Sequence, residues 1–378
     1  MKPLEKTTKI LYLTLRSDWG GGPKHIDILY NNIGPGYRIY FAAPISDPFG
    51  DSWFKSVGKE RFFELEHRKF SISKLFELKT FIKNNEIKIV HAHGKGAGLY
   101  GRLLKILLSN RIKVIFTFHG LHIAQYNQVK KKLYIYYEQF FSRYTDLFIN
   151  VSKGEQENCL KYAIFSPHKS KVVYNVIPEA KNEKVSISLK NELNLPLDKF
   201  IVLSIVRFSF AKNIEATLAI AELLKFDKRF LFVLVGDGET REEIENEIRI
   251  KELNNVLLTG FKNNPLDYIA ASNVYLSTSR WEGLPYSLIE ASMMGLPAVA
   301  TNVVGNNEVV KNNFNGKLFN PGDLKTAVNN IIEICTDNNL FEFYSKNAKT
   351  FYEDNFSIDK MTKQMQSIYN DLYIKVLK

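Results

Sequence analysis

The sequence predicts an α/β protein with two doubly wound domains in tandem. Three observations predict it. Short apolar runs alternate with amphipathic stretches along most of the 378 residues. The alternation breaks once, at the polar, proline-bounded segment 178–199, and then restarts with the same rhythm. The strand candidates are apolar on both faces, as strands of a parallel sheet covered on both sides must be. Domains of roughly 100–200 residues also make two the default for a chain of this length.

The strand candidates of the first half are KILYLTL (9–15), YRIYFAA (37–43), IKIVHAH (87–93), KVIFTF (113–118), DLFINVS (146–152) and KVVYNV (171–176). Each is short and rich in β-branched and aromatic residues. After the break come FIVLSIV (200–206), RFLFVLVG (229–236), NVLLTG (255–260), NVYLSTS (273–279) and LPAVATN (296–302). Residues 213–226 and 240–253 have helical spacing between them. The end, 356–378, reads as a long helix with apolar positions at Met361, Met365, Ile368, Tyr369 and Leu372. Open parallel sheets bind ligands at the carboxyl ends of their strands, so a ligand is expected between two facing domains.

Composition narrows the function classes. Cys159 and Cys335 stand far apart, with no metal-ligand spacing and no disulfide framework, which fits a reducing compartment. The N-terminus carries no signal-peptide pattern, and no apolar run reaches the ~18–20 residues of a membrane span. The net charge of +11 is uneven. Residues 1–180 hold 28 Lys and Arg against 15 Asp and Glu, an excess of 13; residues 181–378 hold 23 against 25, a deficit of 2. Such asymmetry points to a polyanionic partner of the first half, or to no more than a lysine-rich surface.

Several strand ends carry residues suited to anions. RSDWGGGPKHI (16–26) sets Gly20, Gly21 and Gly22 between a strand and a helix. It is either a backbone cradle for an anion or a flexible turn, and it lacks the glycine spacing of a dinucleotide fingerprint. VRFSFAKN (206–213) places Arg207 at a strand end and Lys212 at a helix start. Together they are suited to clamp a diphosphate, against the reading of two solvated surface charges. In LVGDGE and LTGFKN, Gly236, Gly260, Phe261 and Lys262 are expected at a pocket floor, and Asp237 is expected to cap the following helix. His91, His93, His119 and His122 end two strands of the first half. Hydrogen-bonding or structural roles fit them better than a metal, because no third ligand type recurs at metal spacing.

SRWEGLPYSLIEASMMGLP (279–297) holds Glu282 and Glu290 seven residues apart. On one unbroken helix they would lie about 12 Å and about 80° apart and would not converge. Gly283 and Pro285 instead start a helix between them. Glu282 then lies in the loop and Glu290 in the first turns, with backbone amides near 286–289 aimed at an anion. A nucleotide-sugar has that layout: sugar, diphosphate, ribose. The bland reading makes Glu290 a capping or surface residue and Glu282 a loop charge.

These residues resemble the glutamate-seven-residues-glutamate motif of retaining GT-B glycosyltransferases, especially glycosyltransferase family 4. HAHGKGAGLYGRL, TFHG, NVSKGE, VVYNVI, VRFSFAKN, VGDGE and TGF follow in the family's order along nearly the whole chain. The resemblance implies a GT-B fold of two Rossmann-like domains facing a central cleft. Residues 1–180, joined by a returning C-terminal helix over 360–378, would bind the acceptor; residues 181–359 would bind the donor. It implies that Arg207 and Lys212 bind and stabilise the leaving diphosphate, that Glu282 contacts the transferred sugar and that His119 lies near it. Glu290 would bind the ribose. Gly283, Leu284, Pro285, Tyr286, Ser287 and Leu288 would hold the distal phosphate; Gly236, Gly260, Phe261 and Lys262 would border the base. Gly21 and Gly22 would lie at the diphosphate, and Lys24, His25 and His93 on the acceptor side. The family often carries GGAER after the glycine turn where this chain has GGGPKHI, and YNVIP lacks the family's usual glycine, so Asn175 takes no role.

The implied activity is retaining transfer of a sugar, with a uridine diphosphate donor as the commonest case, to a lipid-linked or polysaccharide acceptor in envelope glycan synthesis. No cofactor and no metal are implied, because Arg and Lys meet the developing phosphate charge. Neither glutamate acts as a glycosidase-type acid or nucleophile. The segments 51–79 and 128–144 mix basic and aromatic residues, including Tyr134, Tyr137, Phe140 and Phe141. They suit either an anionic membrane surface or ordinary helix packing. A cytoplasmic protein peripheral to the inner face of the membrane is expected. The competing readings are a sugar-nucleotide epimerase, which lacks an evident acid/base pair, and a basic nucleic-acid-binding protein, which lacks any recognition signature.

Overall fold

A computed structural model describes residues 7–109, 111–121, 123, 125–179 and 187–377. His122 and part of the 178–199 segment lie outside them. The chain divides into two units: Met1–Val176 with Ile358–Lys378, and Ile177–Ser357.

The first unit contains strands β1 (Thr8–Thr14), β2 (Tyr37–Ala43), β3 (Phe62–Glu64), β4 (Ile89–His93), β5 (Lys113–Thr117), β6 (Leu147–Asn150) and β7 (Ser170–Val172). Its helices are α1 (Gly21–Asn32), α2 (Phe49–Val57), α3 (Ile72–Asn84), α4 (Lys95–Leu107), α5 (Gln128–Phe141) and α6 (Lys153–Lys161). The strands form one parallel sheet in the order β3-β2-β1-β4-β5-β6-β7. One face packs Leu11, Leu13, Val90, Ala92, Val114 and Phe116 against Leu75 and Leu78 of α3, Tyr100 and Leu104 of α4, and Cys159 of α6.

The second unit contains α7 (Ile187–Glu192), β8 (Phe200–Ile205), α8 (Ile214–Leu223), β9 (Phe230–Val235), α9 (Arg241–Ile250), β10 (Val256–Gly260), α10 (Pro265–Ala270), β11 (Val274–Ser277), α11 (Tyr286–Met294) and β12 (Ala298–Thr301). It continues with α12 (Asn306–Val309), β13 (Gly316–Phe319), α13 (Leu324–Thr336) and α14 (Asn338–Asn355). Its parallel sheet runs β10-β9-β8-β11-β12-β13.

The last helix, α15 (Ile358–Leu377), belongs to the first unit. Met361, Met365, Ile368, Tyr369 and Leu372 are all buried. The Tyr369 hydroxyl reaches Nδ1 of His91 at 2.8 Å and donates to the Tyr12 hydroxyl at 3.3 Å, so the helix is tied to the centre of the sheet.

The periodic strand candidates occur, most of them trimmed by one to three residues at an end. Two edge strands, β3 and β13, carry no sequence signal of their own. Three or four residues are too few to show a period, and pairing with β2 and β12 supplies the order instead. In both sheets the strand order reverses beside the first strand: between β1 and β4, and between β8 and β11. Such a switch point opens a crevice at the carboxyl ends of its two strands.

Candidate active site

The switch point of the second unit gathers two predicted residues, Lys212 and Glu282. Lys212 ends a 3-10 turn over Phe210–Lys212 that follows β8. Glu282 follows β11. The ammonium of Lys212 lies 2.5 Å from Oε1 of Glu282, and the Ser279 hydroxyl donates to the same oxygen at 2.6 Å. Local chemistry holds both ends. The Thr278 hydroxyl bonds the carbonyls of Lys212 and Asn213, and the Asn213 amide returns a bond to the Thr278 carbonyl. Asn213 is left-handed, with φ at 54°, a conformation asparagine tolerates better than most residues. Behind Glu282, the Thr301 hydroxyl donates to the Ser279 carbonyl. Gly305, with φ at 88°, packs so closely that a Cβ there would lie 2.8 Å from both Glu282 Cβ and the Gly283 carbonyl oxygen.

The helix start expected between the glutamates is present, shifted by one residue. Pro285 is the N-cap and Tyr286 the first helical residue. The first intrahelical bond runs from the Ile289 amide to the Pro285 carbonyl, so Tyr286, Ser287 and Leu288 make up the first turn. Leu284 and Leu288 are buried and hold the turn. Glu290 is buried one turn further on; together with burial it raises the phenol pKa of Tyr286 well above the usual value, burial being the larger cause.

Arg207 lies just past the end of β8, before the turn that carries Lys212, and is apart from Glu282 in its bonding. Its Nε donates to Glu239 at 3.0 Å, and both side chains are about half exposed. Gly236, with φ at 144°, permits a backbone contact: a Cβ there would strike the Val206 carbonyl oxygen at 1.9 Å. Its amide bonds the Gly260 carbonyl, while the Phe208 amide bonds the Asp237 carbonyl. The ends of β8, β9 and β10 are thus laced together. Asp237 is not the cap of α9. Thr240 occupies that position, and the Asp237 carboxylate takes the Gly238 amide and Nη1 of Arg241. A Cβ on Gly238 would lie 2.2 Å from the Phe208 carbonyl oxygen, so glycine is needed there for the close approach of the two backbones. Phe261 is exposed and Lys262 half-buried just past β10.

The switch point of the first unit gathers the histidines. Gly20 is the N-cap of α1, and Gly21 and Gly22 form its first turn. A Cβ on Gly22 would lie 3.5 Å from the His119 ring, so this turn sits on the imidazole. His119, with φ at 59°, has its Nε2 3.1 Å from Nδ1 of His93, and the two rings stack. His25 lies 5.0 Å from the His119 ring and bonds Asn175 at 3.1 Å. Asn175, given no role from the sequence, is therefore the anchor of His25. Burial lowers the His25 pKa to about 4 and holds His91 and His93 well below the usual imidazole value. His91 is structural: its two nitrogens are bonded to Tyr369 and Thr117. Lys24 is half-buried on the same turn of α1. Among the described residues no group of three His, Cys, Asp or Glu is placed to hold a metal ion.

Sequence reasoning missed Ser279, Thr278, Gly305 and Asn175. Ser279 lay inside the quoted motif, and a hydroxyl three residues before a glutamate was its available signal. Gly305 had none, because its partner loop is more than twenty residues away.

Two parallel-sheet domains with a lysine–glutamate pair beside a helix start define the GT-B class of sugar transferases. Residues 186–351 match the model of the glycosyl transferases group 1, and residues 34–181 match that of glycosyltransferase family 4. The chain is 28% identical over 314 residues to the Escherichia coli UDP-Gal:alpha-D-GlcNAc-diphosphoundecaprenol alpha-1,3-galactosyltransferase, covering 79% of each protein. It is 31% identical over 315 residues to an uncharacterized 41.2 kDa protein in the cps region of Klebsiella pneumoniae, covering 80% of this chain and 83% of that one. Among solved structures, Anabaena HepE in complex with UDP and glucose superposes with a TM-score of 0.82 at 18% identity, covering 96% of this chain and 100% of that one. The chain belongs to the group 1 glycosyl transferases, with a family 4-type first domain, and is a glycosyltransferase.

Proposed function

We propose that the protein transfers a hexose, with retention, from a UDP-sugar to a lipid-linked saccharide during envelope glycan synthesis. The observation that carries this reading is the Lys212–Glu282–Ser279 cluster at the switch point of the second unit, beside the first turn of α11. The named galactosyltransferase relative acts on a diphospholipid-linked sugar, which supports the acceptor class. In this reading the second unit binds the donor and the first unit the acceptor. Lys212 and Arg207 face the diphosphate, and the Tyr286–Leu288 amides take its distal phosphate. Glu290 takes the ribose, while Gly260, Phe261 and Lys262 border the base.

Departure of the diphosphate leaves an oxocarbenium-like sugar and an anionic leaving group. Fixed cations and helix amides aimed at that anion lower the barrier without reorganisation. The leaving phosphate takes the acceptor's proton on the face it leaves, which retains the anomeric configuration. The Glu282 carboxylate, held by Ser279 and Lys212, orients sugar hydroxyls. His119, bonded to His93, is assigned to a sugar hydroxyl, and Gly21, Gly22, Lys24 and His25 to the diphosphate and acceptor. The protein works peripherally at the inner face of the cytoplasmic membrane, and no divalent metal takes part.

The test is UDP release across a panel of UDP-sugars, with a GlcNAc-diphospholipid acceptor and with EDTA present. Glu282→Ala and Lys212→Ala are each expected to lower the rate about 10²–10³-fold. Full activity in both variants would sink the site assignment, and abolition by EDTA would sink the metal-independent mechanism.

A further inference from the structure

We propose that the outer face of α5 is the docking surface for an anionic phospholipid bilayer. The proposal rests on the reading above that the acceptor is lipid-linked, and it assigns that membrane contact to one helix.

Val129, Leu133, Tyr136 and Phe140 are 68%, 65%, 68% and 49% exposed. Their spacing confines them to an arc of about 60° and a length of about 16 Å along the helix. This stripe is not the side that anchors α5. The anchoring side carries Glu138, which is buried against Arg102 of α4 at 2.7 Å, with the Arg102 guanidinium stacked on Phe116. Tyr134, Tyr137 and Phe141 are half-buried on that side. The helix therefore has two apolar faces, and the fold uses only one. Of the four aromatic residues flagged from the sequence, three belong to the packing face and only Phe140 to the exposed one.

Charge identifies the occupant. Lys130, Lys132 and Arg143 are exposed around the stripe, and the Arg143 guanidinium lies 4.6 Å from the Phe140 ring centre. The one acid between residues 128 and 143 is the buried Glu138, so the exposed side of this helix itself carries cations and no anion. A second copy of the chain meeting it face to face would set these cations against one another. An anionic bilayer complements both features: headgroups take the cations, and the apolar stripe enters the acyl boundary, with Tyr136 at headgroup level.

The test is co-sedimentation of the full chain with vesicles of phosphatidylglycerol and phosphatidylcholine, against phosphatidylcholine alone. Wild type is expected to prefer the anionic vesicles by about tenfold or more. Leu133→Ser/Tyr136→Ser and Lys130→Gln/Lys132→Gln are each expected to weaken that binding about tenfold, with UDP binding by calorimetry unchanged. Undiminished vesicle binding in both double variants overturns the assignment to α5. Failure of wild type to bind either vesicle, with UDP still bound, overturns the assignment together with the membrane reading and leaves the donor site standing. A wild-type dimer that Leu133→Ser/Tyr136→Ser converts to monomer, without change in vesicle binding, also overturns it.

Discussion

The two switch points use the same topology and opposite chemistry. In the first unit the crevice between β1 and β4 is lined by imidazoles kept neutral by burial: His25 and His93, with His119 bonded to His93 and edge-on to His25. In the second, the crevice between β8 and β11 carries the half-buried Lys212–Glu282 ion pair, and the half-exposed Arg207–Glu239 pair follows β8 and β9 beside it. Dry neutral rings give fixed shape and directional hydrogen bonds. Partly solvated charges can exchange partners when an anion arrives. Under the proposed function, the charged crevice suits phosphate and the neutral one suits hydroxyls.

The contrast has three further tests, in order of expected size. The second crevice depends on backbone lacing, so Gly236→Ala, which drives a Cβ into the Val206 carbonyl, should destabilise that unit by about 4 kcal/mol. Denaturant unfolding measures it, and a cost below about 1 kcal/mol would break the account of the laced strand ends. The first crevice depends on neutrality. His25 titrates at about 4 in the folded protein and near 6.5 when unfolded, so the unfolded chain binds the proton first. Stability is full above about pH 6.5 and falls as pH drops toward 4, by about 3 kcal/mol from this residue. Melting profiles across that window should become shallower in His25→Asn, with the remaining slope left to His91 and His93. An unchanged slope would show that the ring is not held neutral. The smallest effect concerns Arg207. Its exposed pair with Glu239 is worth about 0–1 kcal/mol, so Glu239→Gln should improve UDP affinity by no more than about fivefold. Weakened binding would instead make Glu239 part of the site.

Much of this was legible in the sequence because its signals are local. Parallel strands need apolar runs, helix starts need Gly, Pro or a capping residue, and the Glu282–Glu290 spacing is meaningful within a single loop and helix. The C-terminal helix declared its buried face by spacing alone. Asp237 shows the limit. A capping aspartate and one that binds the next helix's first arginine look alike in sequence, and only the folded position of Thr240 at the helix start separates them.

By itself, then, the sequence determined two doubly wound domains, the positions of Arg207, His93 and His119 at strand ends and of Lys212 before a helix, and the turn that separates the two glutamates. Tertiary structure alone decided that Lys212 meets Glu282 across seventy residues, that Asn175 anchors His25 across one hundred and fifty, and that Gly305 supports the glutamate loop. It also decided which apolar face of α5 stays in water. Periodicity along a chain records which residues are alike in their burial. Pairing between distant strand ends depends on sheet order, and no local spacing encodes that order.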